Sequence, residues 1–342
     1  MKNVRVGIIG CGSITKHRHF PEYMANEHVE ITAVCDLLEE RASVYADQAG
    51  AKMYTSLDDL LNDPSVDAVS VNLPNALHAP VTIKALQAGK HVLCEKPMAT
   101  SIEEADRMIQ AADEAGRKLM IGHNQRFVAS HEKAREYIKE GKLGRIYSFR
   151  TAFGHGGPEG WSADGRDSWF FDKEQAFIGA MGDLGVHKSD LVRFIFDQDA
   201  AEVGGFVDTL AKENTQVDDN AVCIIKLKDG TMGTLTASWS HNKFGDNSTI
   251  IYGEKGVLRL EDDEEYSFIF YPLEGEPEKL KLGKIQTNEE GGQSKTGVID
   301  EFIESILEDR DPAVTGLEGK KALEIVLAAL ESSKTQKILT LS

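Results

Sequence analysis

The first third of the chain alternates short apolar runs with longer amphipathic stretches, and no other feature narrows its fold so far. Val4 to Ile9, Val29 to Asp36, Asp67 to Leu73, His91 to Cys94 and Lys118 to Gly122 are rich in Val, Ile and Leu and read as buried strands. Asp58 to Leu61, Ala79 to Ala88 and Ile102 to Ala115 read as helices; the second is opened by His78 and closed by Gly89 as a C-cap. Strands alternating with helices build a parallel sheet covered on both faces, with right-handed crossovers. Ligands of such a sheet lie beyond the carboxyl ends of its strands. The residues that follow each strand therefore carry the functional information.

The first strand runs into Gly10-Cys11-Gly12-Ser13-Ile14-Thr15. Gly10 allows a tight turn, and Gly12 lets the backbone approach a pyrophosphate. Thr15 stands where a third glycine would let helix and strand pack closely. The second strand ends in Asp36, about 24 residues past Gly12, where an acid hydrogen-bonds the adenosine ribose hydroxyls. Leu37 and Leu38 follow, not a basic pair. A 2′-phosphate would meet Asp36 without a local cation, which favours NAD over NADP. The strand His91 to Cys94 ends in Glu95-Lys96-Pro97. Pro97 cannot donate to a sheet ladder, so the strand stops and leaves Lys96 at the ligand rim.

The second half has a different texture. His123-Asn124-Gln125-Arg126-Phe127 crowds polar side chains at a strand end, facing the same cleft. Arg126 either touches substrate oxygens or bridges the two halves. His155 to Phe171 is irregular and carries Trp161, Arg166 and Trp169. Long loops are functional or disordered, and two tryptophans argue against disorder. Aromatic faces suit the C–H faces of a sugar ring, while His155 and Arg166 suit its hydroxyls. Gly182 to Phe196 reads as a helix with Leu184, Leu191, Phe194 and Ile195 on its apolar face. Asp183 and His187, at i and i+4, share one face. There the carboxylate would fix the imidazole tautomer and support a transient imidazolium.

The remainder is mostly β, with candidate strands Ile146 to Phe153, Glu202 to Leu210, Asp219 to Leu227, Met232 to Ser240, Ser248 to Tyr252, Gly256 to Glu261 and Tyr266 to Tyr271. Asp229-Gly230 marks a hairpin, and short loops imply antiparallel pairing. An open sheet of this size needs its second face covered. Helices cover one face, and self-association as a homodimer or homotetramer is expected to cover the other. Asp262-Asp263-Glu264-Glu265 reads as a solvated turn, and no metal site is expected. Glu276 to Glu290 reads as polar loop, and Val298 to Leu307 and Leu317 to Ser333 as closing helices.

Gly10-Cys11-Gly12, Asp36, Leu73-Pro74-Asn75-x-x-His78, Glu95-Lys96-Pro97 and Gly182-Asp183-Leu184-Gly185-Val186-His187 stand in one order. Together they resemble the glucose–fructose oxidoreductase / inositol dehydrogenase / MocA (Gfo/Idh/MocA) family, over nearly the whole chain. The resemblance implies an α/β chain. An N-terminal Rossmann domain, doubly wound on a parallel sheet, spans residues 1–122. A C-terminal α+β domain with a large open, mostly antiparallel sheet spans residues 123–342, and its closing helices pack back on the first. It implies that Lys96, Asp183 and His187 are catalytic and that the Lys96–Pro97 bond is cis. Gly10, Cys11, Gly12, Ser13, Ile14, Asp36, Leu73, Pro74, Asn75, His78, Glu95, Lys96, Asn124 and Trp169 would hold the cofactor. Lys96, Arg126, His155, Trp161, Arg166, Asp183 and His187 would meet the substrate. Family members often carry Trp-Arg where this chain has Trp169-Phe170, so the usual substrate contacts differ.

The expected activity is hydride transfer between a ring hydroxyl of a sugar or cyclitol and NAD. Two alternatives remain: an NAD-dependent glycosidase working by transient oxidation and elimination, and a non-catalytic NAD-responsive regulator. The net charge of −18 over 342 residues argues against nucleic acid or anionic membrane as partner. It does not exclude an anionic cofactor held by backbone N–H groups. Cys11, Cys35, Cys94 and Cys223 lie in or beside strands without metal-ligand spacing, which suits reduced thiols in the cytoplasm.

Overall fold

In the computed structural model the description covers residues 3–283, 285 and 295–341. Strand β1 (Val4–Ile9) lies inside a six-stranded parallel sheet with β2 (Val29–Cys35), β3 (Lys52–Tyr54), β4 (Ala68–Val71), β5 (His91–Cys94) and β6 (Leu119–Ile121). The order is β3-β2-β1-β4-β5-β6, so the chain winds outward in both directions from β1. The point where the order reverses is the ligand crevice of such sheets, and Gly10 opens there. Helices α1 (Phe20–Ala25), α2 (Glu39–Ala49), α3 (Leu57–Leu61), α4 (Asn75–Gln87) and α5 (Ile102–Ala115) connect the strands. Ser101 caps α5 by accepting from the Glu104 N–H, and Gly116, at φ +59°, ends it. Strand β3 was not expected: it is a three-residue edge with no buried side chain, so it leaves no apolar signature. Helix α4 starts at Asn75 rather than at His78, because Pro74 is the N-cap residue.

Helix α6 (Ala129–Lys139) leads into a nine-stranded sheet. Its strands are β7 (Ile146–Gly154), β8 (Ala200–Asp208), β9 (Asn220–Leu227), β10 (Met232–Ser238), β11 (Thr249–Gly253), β12 (Gly256–Leu260), β13 (Phe268–Pro272), β14 (Glu278–Leu280) and β15 (Leu339–Thr340). All pairs are antiparallel except β7 with β10. The long stretch between those two gives the chain room for the crossover a parallel pair needs. Helices α7 (Lys173–Ala176) and α8 (Val186–Phe196) lie in that stretch, and α9 (Val298–Leu307) and α10 (Gly316–Thr335) close the chain. Within the polar stretch expected to be loop, Glu278–Leu280 adds an edge strand; residues 284 and 286–290 lie outside the described residues.

The apolar interior forms two bodies. One gathers the six-stranded sheet with α9 residues Val298, Ile299, Phe302 and Ile303. The other lies between the nine-stranded sheet and α8, with Ala322, Ile325 and Ala329 of α10. Helix α10 touches both, since its Leu323 belongs to the first body. The closing helices thus pack the end of the chain against its beginning. All four cysteines are buried and free. No helix among the described residues is long and apolar enough to cross a membrane.

Candidate active site

The turn after β1 is shaped for a phosphate-bearing ligand. Gly10 has φ +92°, and a Cβ there would lie 2.3 Å from the Asn72 carbonyl oxygen, so no other residue fits. A Cβ on Gly12 would meet nothing within 4 Å, so the backbone there faces open space. These are the two requirements of a dinucleotide turn. Thr15 takes the place of the third glycine without loosening the structure. Its hydroxyl donates to the Gly10 carbonyl at 2.6 Å and accepts from Asn72 Nδ2 at 2.9 Å, and the following turn, Thr15–His19, widens to a π-helix. Asp36 accepts from the Cys11 N–H at 2.7 Å and the Leu38 N–H at 2.9 Å, which pins its carboxylate beside the Gly-rich turn. The sequence reading found no cation here, yet Arg41 on the first turns of α2 lies within electrostatic reach of Asp36. Helical spacing from the strand end was the signal that could have found it.

Lys96 leaves β5 through a cis bond to Pro97. Its ammonium crosses to the second half and donates to Asp183 Oδ1 at 2.8 Å and to the Asp183 carbonyl at 3.0 Å. The other carboxylate oxygen of Asp183 accepts from the indole N–H of Trp239 at 3.1 Å. Asp183 therefore serves Lys96 and Trp239, not His187 as the i, i+4 spacing predicted. The reason is local. Met181–Gly185 is a π-helix, whose wider turn breaks the stacking of i and i+4 that an α-helix would give. Glycines allow this crowding: a Cβ on Gly185 would lie 2.4 Å from Met181 Sδ, and one on Gly182 2.7 Å from Ile178 Cβ. Trp239 is fully buried, and sequence reasoning missed it because it stands in a β-rich segment far from every motif.

His187 stands on the same helix as Asp183 and is 8% exposed. Its ring lies 5.7 Å from that of Phe153 and 6.4 Å from that of His123. Burial, then the charge of Lys96, then His123 hold its basicity well below the ordinary imidazole value. The buried imidazole is neutral across the neutral range, ready to accept a proton but poor at keeping one.

Beneath Lys96 lies a second network the sequence did not reveal. The buried Glu95 carboxylate is paired with Arg18 and accepts from His19 Nε2 at 2.8 Å. His19 Nδ1 meets Ser70 Oγ at 2.8 Å, and Ser70 meets Tyr23 at 2.9 Å. Burial pushes the Glu95 carboxyl up, but Arg18, His19 and Lys96 outweigh it and hold the group well below the usual carboxylate range. A Cβ on Gly122 would lie 2.9 Å from Glu95 Oε1, so the residue that follows β6 must be glycine. Glu95 is a fixed anion beneath Lys96.

The remaining candidates divide. His78 is 1% exposed, with Nδ1 2.7 Å from the Pro97 carbonyl and Nε2 2.8 Å from the Leu73 carbonyl, and the neutral ring donates to one of them. It holds the backbone of those two residues in place. Asn75 donates to the Ala176 carbonyl at 2.8 Å, tying α4 to α7, and Pro74 begins α4. Leu73 lines the turn, its Cδ2 lying 3.0 Å from where a Gly10 Cβ would be. Asn124 is buried at the start of a 3-10 turn. Arg126 is a bridge: it pairs bidentately with Asp190 at 2.8 and 2.6 Å and also contacts Glu318 of α10. Arg166 is exposed on an outer turn and has no ion pair among the described residues.

The loop between β7 and α7 forms a wall of rings. Phe153, His155, Trp161, Phe170 and Trp169 follow one another at centroid distances of 5.9, 6.3, 5.1 and 3.9 Å. The last pair is stacked, so Phe170 fills space against Trp169. Ser13 Oγ donates to the Trp161 carbonyl at 3.0 Å, and Arg41 pairs with Asp164. The loop therefore joins the wall to both the Gly-rich turn and α2.

A turn open to a phosphate-bearing ligand, an acid pinned beside it and an ammonium held by the opposite half fit a nicotinamide-nucleotide-dependent oxidoreductase. The NAD-binding Rossmann model of the Gfo/Idh/MocA oxidoreductases matches residues 4–123, and the C-terminal domain model of the same group matches residues 131–259. The chain belongs to this family. It is 31% identical to a 1,5-anhydro-D-fructose reductase of Ensifer adhaerens over 74% of each chain. It is also 31% identical to a levoglucosan dehydrogenase of Pseudarthrobacter phenanthrenivorans, over 79% of this chain and 77% of that one. A solved levoglucosan dehydrogenase bound to NADH and L-sorbose superposes with a TM-score of 0.87 at 25% identity, over all of both chains.

Proposed function

We propose that the protein oxidises a ring carbinol of a sugar or cyclitol, or reduces the matching ketone, with NAD as the favoured cofactor. Residues 1–122 bind the cofactor, and residues 123–342 bind substrate and join copies of the chain. The observation that carries this reading is the Lys96–Asp183 pair across the two halves. The names of the relatives support a sugar-like substrate, and Asp36 supports an unphosphorylated ribose. The residues of the Gly-rich turn fit the nucleotide, which when bound supplies the hydride acceptor.

The chain's own groups supply the rest. An ammonium has three donors. Two of those on Lys96 are engaged by Asp183, and the third is left for the substrate hydroxyl oxygen, where alkoxide charge develops. His187 takes the hydroxyl proton. Asp183 fixes the direction of Lys96, and Trp239 fixes Asp183. The ring wall from His155 to Trp169 shields the site from water and offers faces to C–H groups.

The outer face of the nine-stranded sheet exposes Phe206, Val222, Ile224 and Met232, at 77, 54, 53 and 59%. A contiguous apolar face of this kind is an association surface, and a second copy of the chain covers it in this reading. A cytoplasmic location fits the reduced thiols.

The test is Lys96→Ala. Turnover of the best substrate from a panel of inositols, hexoses and anhydrosugars should fall by about 10²–10⁴, while NAD binding, read by calorimetry, is kept. Normal turnover in that variant removes the role.

A further inference from the structure

His123 is a buried imidazole that the mechanism above does not use. It follows β6, is 1% exposed, and neither ring nitrogen has a hydrogen-bond partner among the described residues. An unsatisfied buried polar group is costly, so one with two such nitrogens calls for an explanation. Its ring neighbours that of His187. The two rings stand 6.4 Å apart, close to perpendicular at 83°. The inner nitrogen of His187, Nδ1, is also sealed in the interior without a partner among the described residues. That is too far for a direct ring-to-ring hydrogen bond and suits one water placed between, at about 2.8–3.0 Å from each nitrogen. Buried waters occupy sites where two or more polar atoms converge.

We propose that His123 is the second imidazole of a proton relay, linked to His187 through an ordered water. The proposal rests on the dehydrogenase reading of the site. The substrate hydroxyl gives its proton to Nε2 of a His187 that carries hydrogen on Nδ1. The Nδ1–H bond then breaks toward the water, which passes one of its own protons to His123. His187 is left neutral with hydrogen on Nε2, and His123 becomes the imidazolium. No electrons move in this step. Burial, Lys96 and Arg18 disfavour charge on His187. Burial also holds His123 below the ordinary imidazole value, with Arg126 and Lys96 adding to it, while the charges of Asp190 and Glu95 favour a proton there. The buried Asp190 is itself held by Arg126, which lines an open cleft of about 550 Å³ together with Arg193 and Glu318. The proton thus moves away from the ammonium and toward a carboxylate.

The experiment compares the parent with His123→Asn and His123→Phe, the first keeping a polar side chain in case the second folds poorly. The relay predicts a kcat lower by about ten- to a hundredfold, somewhat less than removal of a primary acid or base. It also predicts unchanged KM and NAD affinity, a larger solvent deuterium isotope effect, and partial rescue by imidazole in the buffer. A substrate-free reading comes from ¹⁵N NMR of the imidazoles in the NAD-loaded protein. The Nδ1 resonance of His187 should shift in both variants, because its hydrogen-bonded link is cut. An unmoved Nδ1 resonance overturns the relay, as does a kcat loss without isotope effect or rescue. If the parent turns over no polyol while the NMR link is present, the dehydrogenase reading fails and the imidazole pair stands.

Discussion

Trp239→Phe tests whether Asp183 is aimed by its neighbours. The indole N–H reaches Asp183 Oδ2 at 3.1 Å in a fully buried setting. Phenylalanine keeps a ring beside Phe171, whose centroid is 5.9 Å away, and removes the donor. A hydrogen bond to a charged group is worth about 1.5–3 kcal/mol net. This one is long for its type, which places it near 1.5–2 kcal/mol on the order of that range. If the released carboxylate turns from Lys96, the transition state loses the same amount. At about 1.36 kcal/mol per decade, kcat/KM falls about ten- to thirtyfold. The same loss lowers Tm by about 3–8 °C, at about 2–4 °C per kcal/mol. The assay is initial-rate reduction of NAD with the best sugar or cyclitol, beside thermal unfolding and NAD titration. NAD affinity should not change, because Trp239 lies on the substrate side. A folded variant with unaltered kcat/KM would refute the idea that Trp239 positions the carboxylate.

Other expectations follow from single features. Asp36→Ser should move cofactor preference toward NADP, because it removes the acid and leaves Arg41 to meet a 2′-phosphate; the ratio of kcat/KM for the two cofactors reads this, and an unmoved ratio assigns the preference elsewhere. Lys188 is fully buried with Asn247 O as acceptor at 2.8 Å, and burial lowers its amine to about 7. A folded value below the unfolded one gives stability that is complete above about pH 10.5 and drains as pH falls toward about 7, at about 1.4 kcal/mol per unit at most. Lys188→Met should therefore raise Tm clearly at pH 7 and much less at pH 10, and a gain independent of pH would deny the buried amine this role. Ile224→Lys, in the middle of the exposed sheet face, should convert an oligomer to monomer in light scattering, and a parent that is already monomeric removes the proposed interface.

The sequence by itself determined the alternation of strands and helices, and with it the parallel sheet. It also determined the Gly10 and Gly12 turn, Asp36, Lys96 at a strand end, and a β-rich second half. These are local properties: hydrophobic period, glycine freedom and the absent N–H of proline act within a few residues. Tertiary structure decided which side chains meet. Asp183 and His187 are four apart, yet a π-turn hands the carboxylate to Lys96 and leaves the imidazole among Phe153 and His123. Arg126 is held by Asp190 and Glu318, and His78 sits between two carbonyls. Trp239, Arg18 and His19 carry no motif and reach the site only because the sheets bring them there. A hydrogen bond depends on ångström-scale geometry between distant segments, and neither composition nor periodicity encodes that distance.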